Sequence, residues 1–210
     1  GARMLLLCNP HNPIGKVYSR DGLQRIAAIA ARHDARVFAD EIHAPLVYAG
    51  HRHVPYATVS DDAARQAITA VSASKAWNLA GLKCAQLVFT RPDDLRRWRQ
   101  IGHFAGNSTS TPGVFAHTAA WRDGDAWLQP VLGYLQGNRD LLGRLLREHL
   151  PQVGYIEPQG TYLAWLDCRA LELDIAPQLF FRRHARVALT RGAECGQGGG
   201  GHVRLNFAMP

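Results

Sequence analysis

The chain has little lysine, little cysteine and no long apolar run, and each shortage removes a class of protein. Only three lysines, Lys16, Lys75 and Lys83, stand among its 24 basic residues, so chemistry that needs a primary amine has few places to occur. Four cysteines, Cys8, Cys84, Cys168 and Cys195, are scattered singly. They never reach the close-pair spacing of structural zinc or redox motifs, and they read as reduced packing residues of a cytoplasmic protein. No apolar stretch approaches the ~20 residues a membrane helix needs, so no membrane partner is expected. The opening Met4-Leu5-Leu6-Leu7-Cys8 is too short for a signal peptide, is closed by Asn9-Pro10, and reads as a buried strand.

The rest of the composition is that of an ordinary globular chain, with 47% hydrophobic and 20% charged residues over 210 positions. That length allows one domain, or one with a smaller second. A formal charge of +7 raises a basic nucleic-acid-binding or regulatory module as one reading. The basic residues, however, are nearly all arginines along helical segments such as Arg96-Arg97-Trp98-Arg99 and Arg182-Arg183-His184-Ala185-Arg186. No helix-turn-helix or aromatic RNA-binding motif accompanies them. Solvated helix faces account for the charge, and no nucleic-acid partner is expected.

Periodicity divides the chain into alternating elements. Arg3 to Cys8 is a strand, followed by a loop whose prolines and Gly15 forbid both helix and strand. Ser19 caps a helix with Leu23, Ile26, Ala27 and Ala30 on one face, and Arg36 to Glu41 is the next buried strand. Strand, helix, strand is a βαβ unit, which requires a parallel sheet. Further strands are expected over Ala67 to Ser72 and Cys84 to Thr90, then a helix from Pro92 to about His103. Phe115 to Leu150 reads as helical, with breaks near Gly124 and Pro130 and a packing stripe of Leu135, Leu141, Leu142, Leu145 and Leu146. The last part changes character: strand Thr161 to Asp167, helix Ile175 to Ala185, a flexible glycine-rich loop, and strand Val203 to Ala208. The fold class is α/β, with a mainly parallel sheet domain over residues 1–123 and a small α+β domain over 124–210.

In an open parallel sheet, ligands gather at the carboxyl ends of the strands. Three such ends here carry Asn12, Asp40 and Lys75. Singly, each has a bland explanation as a turn former, a loop cap or a surface charge. Two other signals lack their context: Gly196, Gly198 and Gly201 have dinucleotide-loop spacing but precede a strand, and His51 with His53 has no third ligand, so no metal is assigned.

The strings Asn9-Pro10-His11-Asn12-Pro13-Ile14-Gly15, Asp40-Glu41-Ile42-His43 and Ser72-Ala73-Ser74-Lys75, with Lys83 eight residues on, resemble the class I/II aminotransferase superfamily of pyridoxal-phosphate (PLP) enzymes, fold type I. Asp40 to Leu46 and Ser74 to Lys83 are most similar to its cystathionine β-lyase-type carbon–sulfur lyase branch. The resemblance implies PLP as cofactor, Lys75 as its covalent anchor and catalytic base, and Asp40 at the pyridine nitrogen. It implies Asn12 at the ring 3-hydroxyl, Ser72, Ser74 and Lys83 at the phosphate, His43 beside the cofactor, and Arg204 as clamp for the substrate carboxylate. The implied reaction is β-elimination from cystathionine or a related cysteine S-conjugate to a thiol, pyruvate and ammonia, with a class I/II aminotransferase as the alternative. It further implies a homodimer at full length. The chain corresponds to the carboxy-terminal part of such enzymes, and by itself is expected to hold PLP weakly and turn over little.

Overall fold

The leucine run at the start forms β1 (Met4–Cys8), and the Ser19 hydroxyl accepts from Gly22 N to start α1 (Arg20–Arg32), whose Leu23, Ala27 and Ala30 are buried. The chain returns as β2 (Arg36–Asp40), parallel to β1, and the expected βαβ unit is present. The computed structural model describes residues 2–209 and divides into two compact units. The first holds the residues up to Pro10 together with Val17–Pro130. It continues with α2 (Asp61–Gln66), β3 (Ala67–Val71), β4 (Gln86–Phe89), α3 (Pro92–Ile101), α4 (His103–Gly106) and α5 (Thr111–Asp123). Strand order is β1-β2-β3-β4, with β2 and β3 parallel and β4 antiparallel to β3. Leu7, Leu23, Val37, Ala39, Tyr56 and Ala63 close one core against α1 and α2. On the other side of β1, Leu6 is 74% exposed.

α6 (Asp125–His149) follows α5 after a break at Gly124 and passes from the first unit into the second. The break expected at Pro130 does not occur. Both Pro130 and Ala126, whose carbonyl loses the proline's missing N–H, are exposed, so water satisfies the freed group. Only part of the expected leucine stripe faces inward: Leu135 and Leu146 are buried, whereas Leu141 and Leu145 are exposed.

The second unit contains residues 11–16 and 131 onward. After α6 it adds β5 (Gly154–Tyr155), β6 (Leu163–Asp167), α7 (Pro177–His184), β7 (Thr190–Arg191) and β8 (His202–Asn206), in an antiparallel sheet of order β5-β6-β8-β7. The segment 11–16 is fastened there by Gln159 N and Gly160 N, which donate to Gly15 O at 2.9 and 3.0 Å. Gly15 has φ +64°, and a Cβ on it would lie 2.2 Å from Pro158 Cβ, so the position requires glycine on two counts. The glycine-rich stretch before β8 is crowded at some points and open at others: a Cβ on Gly192 would meet Gly199 O at 2.3 Å, whereas one on Gly196, Gly198 or Gly200 would meet nothing within 4 Å. No helix among the described residues is long and apolar enough to cross a membrane.

One partly buried ion pair ties the start of β2 to α3. Arg36 donates through Nη1 and Nη2 to both carboxylate oxygens of Asp94, at 2.9 and 2.5 Å, and through Nε to Gln66 O. The hydrogen bond from Arg36 holds Asp94 below the usual carboxylate range. Its contribution to stability is therefore complete above the unfolded carboxylate pKa and lost as pH falls through the lower folded value. Asp94→Asn is expected to cost about 1–2 kcal/mol at neutral pH. In denaturant titrations, the gap between parent and variant should close on acidification.

Candidate functional site

β3 ends at Val71, and the chain makes a hydrogen-bonded turn that contains two of the three lysines, Lys75 and Lys83. Ser72 Oγ donates to Cys84 O at 2.7 Å and accepts from Ser74 N at 3.1 Å. Trp77 N then closes on Ala73 O and Leu79 N on Ser74 O, at 3.0 and 2.9 Å. The return leg carries Lys83 at φ +46° into β4. Ser72, Ser74, Lys75 and Lys83 thereby line one crevice of about 760 Å³, whose other end is apolar with Leu87, Phe89, Leu95 and Trp98. Ser72 is buried and spends its hydroxyl hydrogen on the Cys84 carbonyl, so it builds the turn, while Ser74 and the two lysines supply the donors at the polar end.

The parallel register places Asp40 opposite Cys8 on one side and Ala70 on the other, at the carboxyl end of the central strand of this ladder. Its Oδ1 accepts from Ile42 N at 3.3 Å, and Ile42 lines the crevice. The next residue, Glu41, is buried and inward. It accepts from Tyr56 N at 2.7 Å and pairs with His53 Nε2 at 3.1 Å. His53 is thus committed to a carboxylate neighbour of Asp40, and the loop it belongs to is also held by Asn9 Nδ2 donating to Val54 O. His43 is buried in the turn that follows, where its carbonyl accepts from Leu46 N.

Asn12 and Arg204 come together in the second unit. Arg204 Nη1 donates to Asn12 Oδ1 at 3.0 Å, and Nη2 donates to Thr190 Oγ1 at 3.3 Å across the β7–β8 pair. That bond fixes the Asn12 oxygen as acceptor and makes Nδ2 its donor end. Of the eight residues singled out from the sequence, Ser72, Ser74, Lys75 and Lys83 share one crevice, Asp40 and His43 follow β2 in the same unit, and Asn12 and Arg204 form a pair in the other.

The profile of the family described as aminotransferase class I and II matches residues 1–210. The chain belongs to that family. A Mycobacterium tuberculosis protein bearing the provisional name cystathionine beta-lyase is 49% identical over 97% of this chain and 53% of its own length. Cystathionine beta-lyase of Corynebacterium glutamicum is 41% identical over 99% of this chain and 55% of its own. Among solved structures, a protein provisionally described as a PLP-dependent β-cystathionase from Corynebacterium diphtheriae superposes with a TM-score of 0.95 at 44% identity, covering all of this chain and 55% of that one. The fold is accordingly PLP-transferase fold type I, and the chain spans about half the length of the relatives it matches.

Sequence reasoning missed the element that holds the lysine turn in place. One face of α5 and its two flanking residues meet that turn at successive helical spacings. Ser110 Oγ donates to Leu82 O and Ser110 N to Lys83 O; His117 Nδ1 accepts from Ala73 N. Trp121 meets Trp77 edge-on at 5.0 Å, and Gly124 O accepts from Trp77 Nε1 at 3.0 Å. The 110, 113, 117, 121, 124 spacing was visible in the sequence, but its residue types are too mixed to register as an apolar stripe. Gly124 is the tightest point: a Cβ there would lie 2.3 Å from Trp77 Nε1 and 2.4 Å from Ala120 O. Gly124→Ala is expected to displace Trp77 and destabilise the protein by about 1–3 kcal/mol. Gly137→Ala, in α6 where a Cβ meets nothing within 4 Å, should be neutral or stabilising by up to ~1 kcal/mol. Thermal unfolding of the pair checks this.

Proposed function

We propose that the protein carrying this chain is a PLP-dependent carbon–sulfur β-lyase acting on cystathionine or a related cysteine S-conjugate. The observation that carries the reading is the crevice in which Lys75, Ser74 and Lys83 converge beyond β3, one strand from the Asp40 carboxylate. PLP fits this donor set. A primary amine for its aldehyde, an ammonium and a hydroxyl for its phosphate, and a carboxylate for its ring nitrogen all belong to consecutive strand ends of one sheet. When bound, PLP supplies an electron-withdrawing ring that stabilises negative charge at the substrate Cα.

The residues divide the remaining work. Lys75 holds the cofactor through its amine and, once a substrate amine takes that place, removes the Cα proton. Asp40 keeps a proton on the ring nitrogen, with Glu41, Tyr56 N and His53 bracing the backbone beside it. Lys83 and Ser74 hold the phosphate. Asn12 donates through Nδ2 to the ring oxygen, His43 lies beside the cofactor, and Arg204 takes the substrate carboxylate with its planar fork. The names of the relatives at 41–49% identity support the lyase over the aminotransferase, although the family's own description favours the latter. The two share every step up to loss of the Cα proton and part where that proton returns.

A small amino-acid substrate suits the charge distribution better than a polyanion. Several arginines along the chain are paired locally, Arg65 with Asp62, Arg96 with Asp93 and Arg169 with Asp167. The four widely spaced cysteines support a cytoplasmic location, and the exposed Ile101 and Phe115 of the first unit support assembly as a homodimer.

The test is product formation by the purified protein. Cystathionine should yield pyruvate and ammonia continuously with no keto acid added; product that appears only with a keto-acid acceptor would select the aminotransferase. Lys75→Ala should lower turnover by about 10³-fold or more, because anchoring and proton transfer use the same amine. Asp40→Ala should retain some cofactor while slowing Cα deprotonation by about 10²-fold.

A further inference from the structure

His117 is 1% exposed, lies mid-way along α5, and has no part in the chemistry described so far. Its Nδ1 stands 3.4 Å from Ala73 N. A backbone N–H can only donate, so Nδ1 must offer a lone pair, and the ring must be the neutral tautomer with its proton on Nε2. Two observations agree. Nε2 is buried without a hydrogen-bond partner, so nothing there stabilises a cation. Burial also holds the imidazole below its ordinary pKa.

The atom His117 meets matters because of its place in the turn. Ala73 is fully buried, and its N–H precedes the hydrogen-bonded positions that the turn itself satisfies: Ser74 N goes to Ser72 Oγ, and Trp77 N goes to Ala73 O. Without an acceptor from α5, the Ala73 N–H would be a buried donor with no bond, and the peptide plane would be free to rotate. With it, three consecutive residues are pinned immediately before Lys75. At 3.4 Å the bond is long, so its value lies in orientation more than in strength.

We propose that His117 is a positioning residue: its Nδ1 fixes the Ala73 amide and thereby the direction in which the Ser74 hydroxyl and Lys75 amine are presented to the crevice. The consequence for catalysis rests on the reading of Lys75 as the cofactor lysine, but the contact itself does not.

The experiment pairs two variants with two measurements on the cofactor-free protein. In the parent, ¹⁵N NMR of the histidine rings should show His117 neutral and protonated at Nε2 from about pH 6 to 8, and the Ala73 amide should exchange slowly. His117→Asn keeps an acceptor, Oδ1, where Nδ1 stands, whereas His117→Leu fills similar volume without one. Ala73 exchange should rise about tenfold in His117→Leu and stay within ~3-fold of the parent in His117→Asn. PLP dissociation, followed by the bound cofactor's visible absorbance, should split in the same way, and kcat should fall with little change in KM. A proton on Nδ1 in the parent, or equal Ala73 exchange in the two variants, would overturn the proposal whatever the cofactor does. If His117→Leu does not fold, the parent's tautomer and the Ala73 protection in His117→Asn still decide it. Retention of PLP unaffected by Lys75→Ala, with the Ala73 effect intact, would remove the functional reading and leave the hold on the turn standing.

Discussion

The parallel ladder between β2 and β3 is the constraint from which the candidate site follows. It sets Asp40 opposite Ala70, so that the chain leaving β3 enters its turn one strand away from a carboxylate. A parallel sheet requires its strands to end at the same edge, and loops at that edge can converge without either strand bending. The two flanking bonds at this edge continue the register past the strands: Asn9 N donates to Asp40 O, and Glu41 N to Ala70 O. Glu41 is the price of that continuity, a buried carboxylate made tolerable by the Tyr56 amide and His53.

The ladder alone would leave the turn between β3 and β4 loosely defined. Its direction reverses there, since β4 runs antiparallel to β3, and a segment that reverses while presenting side chains to a crevice needs bracing from outside. Helix α5 supplies it, and the small residues on its inner face explain how it approaches so closely. At Gly113 a Cβ would lie 2.3 Å from Leu82 O, so the helix touches the backbone of the turn directly. The order of events in the sequence is therefore not the order of dependence. Lys75 and Lys83 are placed by residues that lie 28 to 47 positions downstream of the groups they touch.

This division explains what could be read from the sequence. The β1–α1–β2 unit was legible because apolar runs, a capping serine and an i, i+3, i+4 stripe agree over more than thirty residues. Lys75 and Asp40 stood out because short strings around them resemble a known family. The antiparallel sense of β4 was not legible, since direction is set by the turn and not by the apolar pattern of Gln86–Phe89. The two-residue strands β5 and β7 are too short to have periodicity at all. Ser72 and Ser74 looked equivalent as hydroxyls, and only the bond from Ser72 to Cys84 O separates a turn builder from a donor facing the crevice. Nothing in the sequence around His117 marks it out, since its meaning depends on one backbone amide forty-four residues away.

The pairing of Arg204 with Asn12 adds a step that neither residue suggests alone. A guanidinium has five N–H donors, and Arg204 places one from Nη1 on Asn12 Oδ1 and one from Nη2 on Thr190 Oγ1, both neutral partners. On its proposed role, Arg204 meets a substrate carboxylate with its remaining N–H groups or by exchanging these bonds. The neutral partners make the exchange favourable, because a carboxylate accepts a charge-assisted bond stronger than an amide or hydroxyl oxygen does. Until then they keep the fork oriented, which lowers the entropy lost on binding. On the same proposal, an exchange that released Asn12 Oδ1 would also alter the amide whose Nδ2 end is assigned to the cofactor ring.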